Sequence, residues 1–300
     1  MRILLAGASG TLGSALTHHL NTCGHTTVAL VRKPTQSPTE IHWNPYAAQP
    51  LPTHDFSPLE NFNAAICLSG ENISAHRWTK HRREQLRSSR LTPINTLGRI
   101  FAQLKHPPSI LITASGANYY EPSSVPLTEG SPSGNSFLAS LCREWEAAAF
   151  ALATPTLRVT PIRFGAILTP TGGMLKKLLP IFRLGLGGPI GSGHQHISWI
   201  TLHDACRTIE FTLTHTFPPG AINGTAPNPV TNAEFTNALA RALNRPAIIP
   251  VPAFALQLAF GKMANEVLLA DLPVVPACLT AANFRHTHPT IAAALADILH

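Results

Sequence analysis

The sequence predicts an α/β fold of the Rossmann type, a doubly wound parallel sheet with a smaller C-terminal substrate or cap region. Three observations carry that prediction. An apolar run at residues 2–6 leads straight into three glycines and then into a helical pattern. Short apolar runs then alternate with helical segments to about residue 225. Hydrophobic residues make up 44% of the 300 residues against 12% charged, which indicates a folded chain with a sizeable core.

In chain order, residues 2–6 read as a buried parallel strand and 11–22 as a helix with Leu12, Leu16 and Leu20 on one side. Residues 27–31 form a second short strand. The stretch 34–62, rich in proline and polar residues, reads mostly as loop. Residues 64–68 form a third strand ending at Ser69-Gly70, and 79–90 a charged helix. A strand at 109–114, a helix at 137–152 and a strand at 159–168 follow. Between 172 and 193 the chain is expected to contain a glycine-rich loop, with five glycines at 185–193. Residues 205–213 read as a helix capped by Asp204, 221–225 as a short strand, and 232–243 as a helix capped by Thr231 or Asn232. Beyond Arg245 the chain is punctuated by proline, with helices near 253–269 and 289–299. This pass gives a dinucleotide-binding unit over 1–226, with a lid-like insertion at 170–200, and a cap over 227–300.

Gly7, Gly10 and Gly13 stand in a G-x-x-G-x-x-G spacing between strand and helix. Glycines there let the backbone approach a pyrophosphate, and the helix start offers N–H groups to it. A plain tight turn is the other reading. The end of the second strand reads Val31-Arg32-Lys33-Pro34, and the nearest acid is Glu40. A site for NAD would place an Asp or Glu here to accept from the ribose 2′-hydroxyl. Arg32 instead offers forked, charge-assisted bonds to a 2′-phosphate, and Lys33 adds charge. The expected cofactor is therefore NADP(H), with two solvated cations at a strand end as the alternative.

The net charge of +7 suits anionic ligands or surfaces, or reflects only a basic exterior. Lys80, Arg83, Arg87 and Arg90 share a helical face, and Arg90 is the one expected to turn toward the cofactor crevice. No nucleic-acid motif accompanies them, so no nucleic-acid partner is expected. Five scattered cysteines without a C-x-x-C read as free thiols in a reducing compartment. No signal-like segment and no apolar stretch near the ~18 residues of a span is present, so the cytoplasm, with no membrane partner, is the expectation. His194, His196, His203 and Asp204 cluster in sequence without ligand spacing, and no metal is expected.

Longer strings add a resemblance. Gly7-Ala-Ser-Gly-Thr-Leu-Gly13, Ser69-Gly-Glu-Asn-Ile73 with Arg77-Trp78, and Phe137-Leu-Ala with Trp145-Glu-Ala-Ala-Ala149 are three of them. Gly187-Gly-Pro-Ile-Gly-Ser-Gly-His-Gln195 with Trp199-Ile200, and Asn223-Gly-Thr-Ala-Pro227 with Thr231-Asn-Ala-Glu-Phe235, are more specific. Together they resemble the atypical and extended short-chain dehydrogenase/reductases, in particular the family-39-like NAD(P)-dependent epimerase family proteins with a C-terminal domain of unknown function. The resemblance spans nearly the whole chain. It implies that the glycine turn with Thr11 and Leu12 cradles the pyrophosphate and that Arg32 meets the 2′-phosphate. It further implies that Leu68 and Ser69 neighbour the adenosine, that Arg90 contacts the cofactor, and that residues 163–166, ending at Ala166, lie by the nicotinamide.

The chain departs from that family in its catalytic signature. Short-chain reductases use Tyr-x-x-x-Lys, in which tyrosine passes a proton and lysine lowers its pKa. No such pair exists here, and aligning the helix on Glu146 puts Leu138 and Cys142 in those places. Ser115, just after a strand and expected to face the crevice, and Tyr120 are the candidate catalytic residues, with Tyr119 and Glu129 as further options. The resulting expectation is an NADP(H)-dependent oxidoreductase or epimerase acting on a small or nucleotide-linked substrate. The alternative is a non-catalytic NADP(H)-binding protein that reports redox state. The sequence leaves the oligomeric state open, with a homodimer as the assembly to test.

Overall fold

A computed structural model describes residues 1–51 and 55–299. Its centre is a seven-stranded sheet in which every neighbouring pair is parallel. The chain opens with β1 (Arg2–Ala6), α1 (Thr11–Thr22) and β2 (Thr26–Val31). The odd and even residues of β1 show why an uninterrupted apolar run forms a central strand. Ile3 and Leu5 pack with Leu16 and Leu20 of α1 on one face, while Leu4 and Ala6 join a second core on the other.

The stretch 34–62 is mostly loop as expected, with 52–54 outside the described residues, but it holds one strand the sequence did not predict. A third strand, β3 (Glu40–His42), pairs with β2 from Ala29 to Val31 and extends the sheet. Trp43, Leu51, Leu59 and Phe62 from the same stretch are buried in the core. After β4 (Ala64–Cys67) comes α2 (Lys80–Phe101), twice the expected length. It runs through Pro93, which costs helix stability. Ile94, Leu97 and Ile100, all but fully buried beyond the proline, offset that cost.

β5 (Ile110–Gly116), α3 (Phe137–Phe150) and β6 (Arg158–Phe164) follow the expected order. The strand expected over 159–168 instead breaks at Gly165, where a Cβ would stand 2.7 Å from the Ser198 carbonyl oxygen. Its continuation, β7 (Ala166–Leu168), leaves the main sheet. The glycine-rich loop at 185–193 is preceded by a helix the sequence did not predict, α4 (Gly173–Arg183), with Leu175, Leu179 and Phe182 buried. Next come β8 (His196–Ile197) and β9 (Trp199–Thr201), the latter paired with β7. α5 (Leu202–Thr214) begins earlier than expected and is capped by Thr201, whose hydroxyl accepts from the Asp204 amide at 3.1 Å. Asp204 is therefore not the cap. It is buried, and its carboxylate accepts from the amides of Thr287 and His288, both at 3.0 Å.

β10 (Ile222–Gly224) adds the last strand beside β6. β11 (Val230–Thr231) precedes α6 (Asn232–Ala242), whose capping box joins Thr231 and Glu234. The helix expected over 253–269 is two pieces: α7 (Ala253–Phe260) and a π-helical turn at Ala264–Leu268. α8 (Ala277–Ala281) and α9 (Ile291–Leu299) complete the chain. A third core joins Leu175, Leu179, Phe182 and Trp199 to Phe235, Leu239, Ile291 and Leu295. Residues on both sides of position 226 share it.

The strand order is β10-β6-β5-β4-β1-β2-β3. The chain runs outward from β1 to β3, then crosses back to β4. The reversal leaves a crevice between the carboxyl ends of β1 and β4, where ligands bind in such sheets. No described helix is long and apolar enough to cross a membrane.

Candidate functional site

Gly7 leaves β1 with φ of +90°, and a Cβ there would lie 2.8 Å from the Leu68 carbonyl carbon. Gly13 is tighter, since its Cβ would lie 2.1 Å from the Gly7 oxygen. Both positions exclude larger residues, so α1 starts close against the strand ends. Gly10 is the N-cap of α1 and donates to the Gly7 carbonyl at 3.2 Å. No side chain caps this helix start, and no acidic residue stands in its first turn. Its amides and dipole therefore favour an anion. Thr11 abuts Gly172, and Leu12 packs into the core beneath. A hollow of about 480 Å³ lies here, lined by Ser9, Gly10, Thr11, Ser14, Thr171 and Leu202 among others.

Arg32 and Lys33 follow directly on β2, and both are exposed. Glu40, the nearest acid in sequence, turns its carboxylate to the Gln36 amide at 2.6 Å. Across the crevice, the Leu68 amide donates to Ala6 at 2.8 Å, and half-buried Leu68 and Ser69 face the glycine turn. Arg90 is buried beneath the Ser69–Glu71 segment. It donates to the carbonyls of Leu86 and Glu71, both at 3.0 Å, and stacks on Trp145 at 5.2 Å. Burial lowers its pKa, and it makes no ion pair among the described residues. The buried Trp145 Nε1 beside it has no hydrogen-bond partner.

The helical face that holds Lys80, Arg83, Arg87 and Arg90 is divided. Arg87 pairs with Glu144 at 2.7 Å, Arg83 lies over the Phe137 ring at 5.1 Å, and Arg90 is inside. Among the described residues no cluster of His, Cys, Asp or Glu could hold a metal. His196 instead pairs with Asp271 at 2.8 Å.

The far wall, from β5 through α3 and β6 to β10, is a closed network. Ser115 donates to Glu146 at 2.7 Å, and Arg163 holds both oxygens of Glu146 at 2.8 and 2.7 Å. Arg163 also donates to the Tyr120 hydroxyl at 2.8 Å and lies over the Tyr119 ring at 3.5 Å. The Tyr120 hydroxyl in turn donates to Asn223 at 2.6 Å. Burial works against the Arg163 charge, but Glu146 outweighs it and holds the guanidinium pKa above its ordinary value. Burial pushes the Tyr120 phenol up to about 12. Ser115, expected to face the crevice, is 6% exposed, and Tyr120 is 2% exposed. Both are hydrogen-bonded inside the wall.

Leu138 packs with Trp78, Leu141 and Met263. Cys142 lies 3.6 Å from the Gly116 carbonyl, and burial pushes its thiol up to about 11, so it stays neutral. Glu129 accepts from the amides of Asn223 and Cys278, both at 3.1 Å, while its second oxygen is buried and unpartnered. Ala166 lies at the turn out of β6, bonded to Ser198 at 2.7 Å. Sequence reasoning missed the pairing of Glu146 with Arg163 and the part played by Asn223. Periodicity carries no signal for contacts between a helix and two distant strands.

Comparison with known proteins shows the family and the fold. Residues 251–298 match the family model "Domain of unknown function (DUF1731)". Epimerase family protein Mb2239 of Mycobacterium bovis is 39% identical over 294 residues, covering 98% of this chain and 96% of that protein. Human epimerase family protein SDR39U1 is 37% identical over the full length of both chains. The chain belongs to this epimerase family. The crystal structure of human SDR39U1 (isoform 2) with NADPH matches with a TM-score of 0.90 at 36% identity, covering 100% of this chain and 99% of the other. A nucleoside-diphosphate sugar epimerase from Corynebacterium glutamicum matches with a TM-score of 0.80 at 30% identity. That match covers all of this chain but 58% of the other.

Proposed function

We propose that this epimerase-family protein binds NADP(H) and exchanges hydride with a small or nucleotide-linked substrate. The carrying observation is an uncapped helix start in the switch-point crevice, flanked by Arg32 and Lys33 where an NAD site would hold an acid. The buried, unpaired charge of Arg90 fits an anionic ligand on the same side. The NADPH bound to human SDR39U1 supports this reading.

In it, Gly7, Gly10, Thr11, Leu12 and Gly13 hold the pyrophosphate, and Arg32 with Lys33 holds the 2′-phosphate. Leu68, Ser69 and Arg90 flank the adenosine, and Ala166 borders the nicotinamide end. Residues 1–226 form the cofactor unit, 170–200 close over it and 227–300 cap it. When bound, the nicotinamide supplies a hydride acceptor or donor. The protein's own part is to position. Ser115 borders the reacting end while bonded to Glu146, and Tyr120 sets the orientation of Arg163. All five cysteines are free, in keeping with the cytoplasmic setting this reading assumes.

Calorimetry tests the cofactor. NADPH is expected to bind more tightly than NADH, and Arg32→Ala to weaken NADPH by about tenfold to a hundredfold, as for loss of a hydrogen bond between charged groups. Equal affinities for the two nucleotides would remove the proposal. For the chemistry, nucleotide-sugar and small carbonyl substrates are screened for NADPH turnover. Ser115→Ala should then lower kcat, and an unchanged kcat would take Ser115 out of the site.

A further inference from the structure

α7 has the sequence Ala-Phe-Ala-Leu-Gln-Leu-Ala-Phe, with Gln257 its one polar residue, yet no residue of it is buried. A helix apolar all round belongs in a core or against a partner. Phe254 is 70% and Leu258 77% exposed. The patch extends beyond this helix. The segment ahead of α7 runs beside the loop after α4, with Ile249 donating to Gly187 at 3.1 Å and Val251 to Pro189 at 2.9 Å. That brings in Ile248 at 80% and Leu184 at 74% exposed, with Leu186 and Phe260 at the margins. Exposed apolar side chains grouped on adjoining segments in this way mark an interaction site.

Charge identifies the occupant. The chain has no Asp or Glu between 147 and 203 or between 235 and 265, the two stretches that build this surface. Arg183, Arg245 and Lys262 adjoin these apolar residues in the chain, exposed, with no ion pair among the described residues. The flanking acids are engaged, Glu234 in the capping box of α6 and Glu266 with the Leu138 amide at 2.9 Å. A second copy docked by a two-fold axis would bring these cations toward one another, and neither stretch supplies an acid to pair with them. An anionic bilayer answers both features: its acyl region takes the Phe and Leu side chains, and its headgroups take the cations.

We infer that the surface of α7 and the 184–191 loop is a peripheral docking face for anionic lipid membranes. The expectation of no membrane partner rested on the lack of a spanning segment, which does not bear on surface binding.

Co-sedimentation of the full chain with vesicles tests this. Binding to phosphatidylcholine vesicles containing phosphatidylglycerol is expected to exceed binding to pure phosphatidylcholine by about tenfold or more at low salt, and to fall as salt rises. Phe254→Asp with Leu258→Asp should abolish it while the thermal unfolding midpoint stays put, since neither side chain is buried. Arg183→Glu with Lys262→Glu should remove the preference for anionic vesicles. Absence of wild-type binding to the anionic vesicles, or undiminished binding by the Phe254/Leu258 variant, overturns the inference. So does a wild-type dimer in sedimentation velocity that the same variant converts to monomer, which would assign the face to a second copy.

Discussion

Around Gly7–Gly13 the chain leaves a helix start uncapped and two cations exposed, whereas across the crevice Ser115, Glu146, Arg163, Tyr120 and Asn223 are bonded to one another. The first region is built to receive a ligand and gains little from its own side chains. The second is built to hold its shape. In a reductase with Tyr-x-x-x-Lys, the corresponding helix presents its tyrosine and lysine to the substrate. Here Leu138 packs against other apolar side chains, Cys142 is neutral, and the charge of that helix points inward through Glu146. The contrast separates cofactor binding, which we assign to the glycine turn, from acid–base chemistry, which the wall does not openly offer.

The largest effect should come from breaking the wall. Arg163 and Glu146 are both about 6% exposed, and removing either partner leaves the other charged, buried and unpaired. Arg163→Ala is expected to lower unfolding free energy by about 3–5 kcal/mol in urea titration. A loss below ~1 kcal/mol would mean that water reaches the pair and that the wall is open after all. Arg32→Ala should behave in the opposite way. It is expected to leave stability within ~0.5 kcal/mol of wild type while weakening NADPH. A large stability loss at Arg32 would erase the distinction between the two regions.

That distinction also explains what could be read from the sequence. The glycine turn is contiguous: strand, glycines, helix and the Arg32-Lys33 pair all lie within the first 33 residues, where local pattern suffices. The wall is assembled from afar. Its bonds join Glu146 to Arg163 across 17 residues, Ser115 to Glu146 across 31, and Tyr120 to Asn223 across 103. Position alone placed Ser115 and Tyr120 near the crevice but could not show which way their hydroxyls turn. Similar limits apply to the fold. β3 is three residues long at a sheet edge and shows no period, and α2 continues past a proline because burial of Ile94 and Leu97 outweighs the break. The glycines after Arg183 masked α4, whose buried stripe of Leu175, Leu179 and Phe182 was legible.

The effect most specific to the wall concerns Tyr120. Its phenol is pushed up to about 12 by burial, with Arg163 and Asn223 opposing but not cancelling that push. A phenol whose folded pKa lies above its unfolded value of about 10 favours the folded state while it is protonated. The associated stability is therefore fully present below about pH 10 and is lost as pH rises toward about 12. Absorbance titration of the three tyrosines should show one ionising last, and Tyr120→Phe should delete that step. The same variant leaves the Asn223 oxygen and one Arg163 N–H without their partner, at a cost of about 1–3 kcal/mol. If Tyr120 instead ionised near the ordinary phenol value of about 10, the hydroxyl would be open to solvent. It would then regain its standing as a proton donor to substrate.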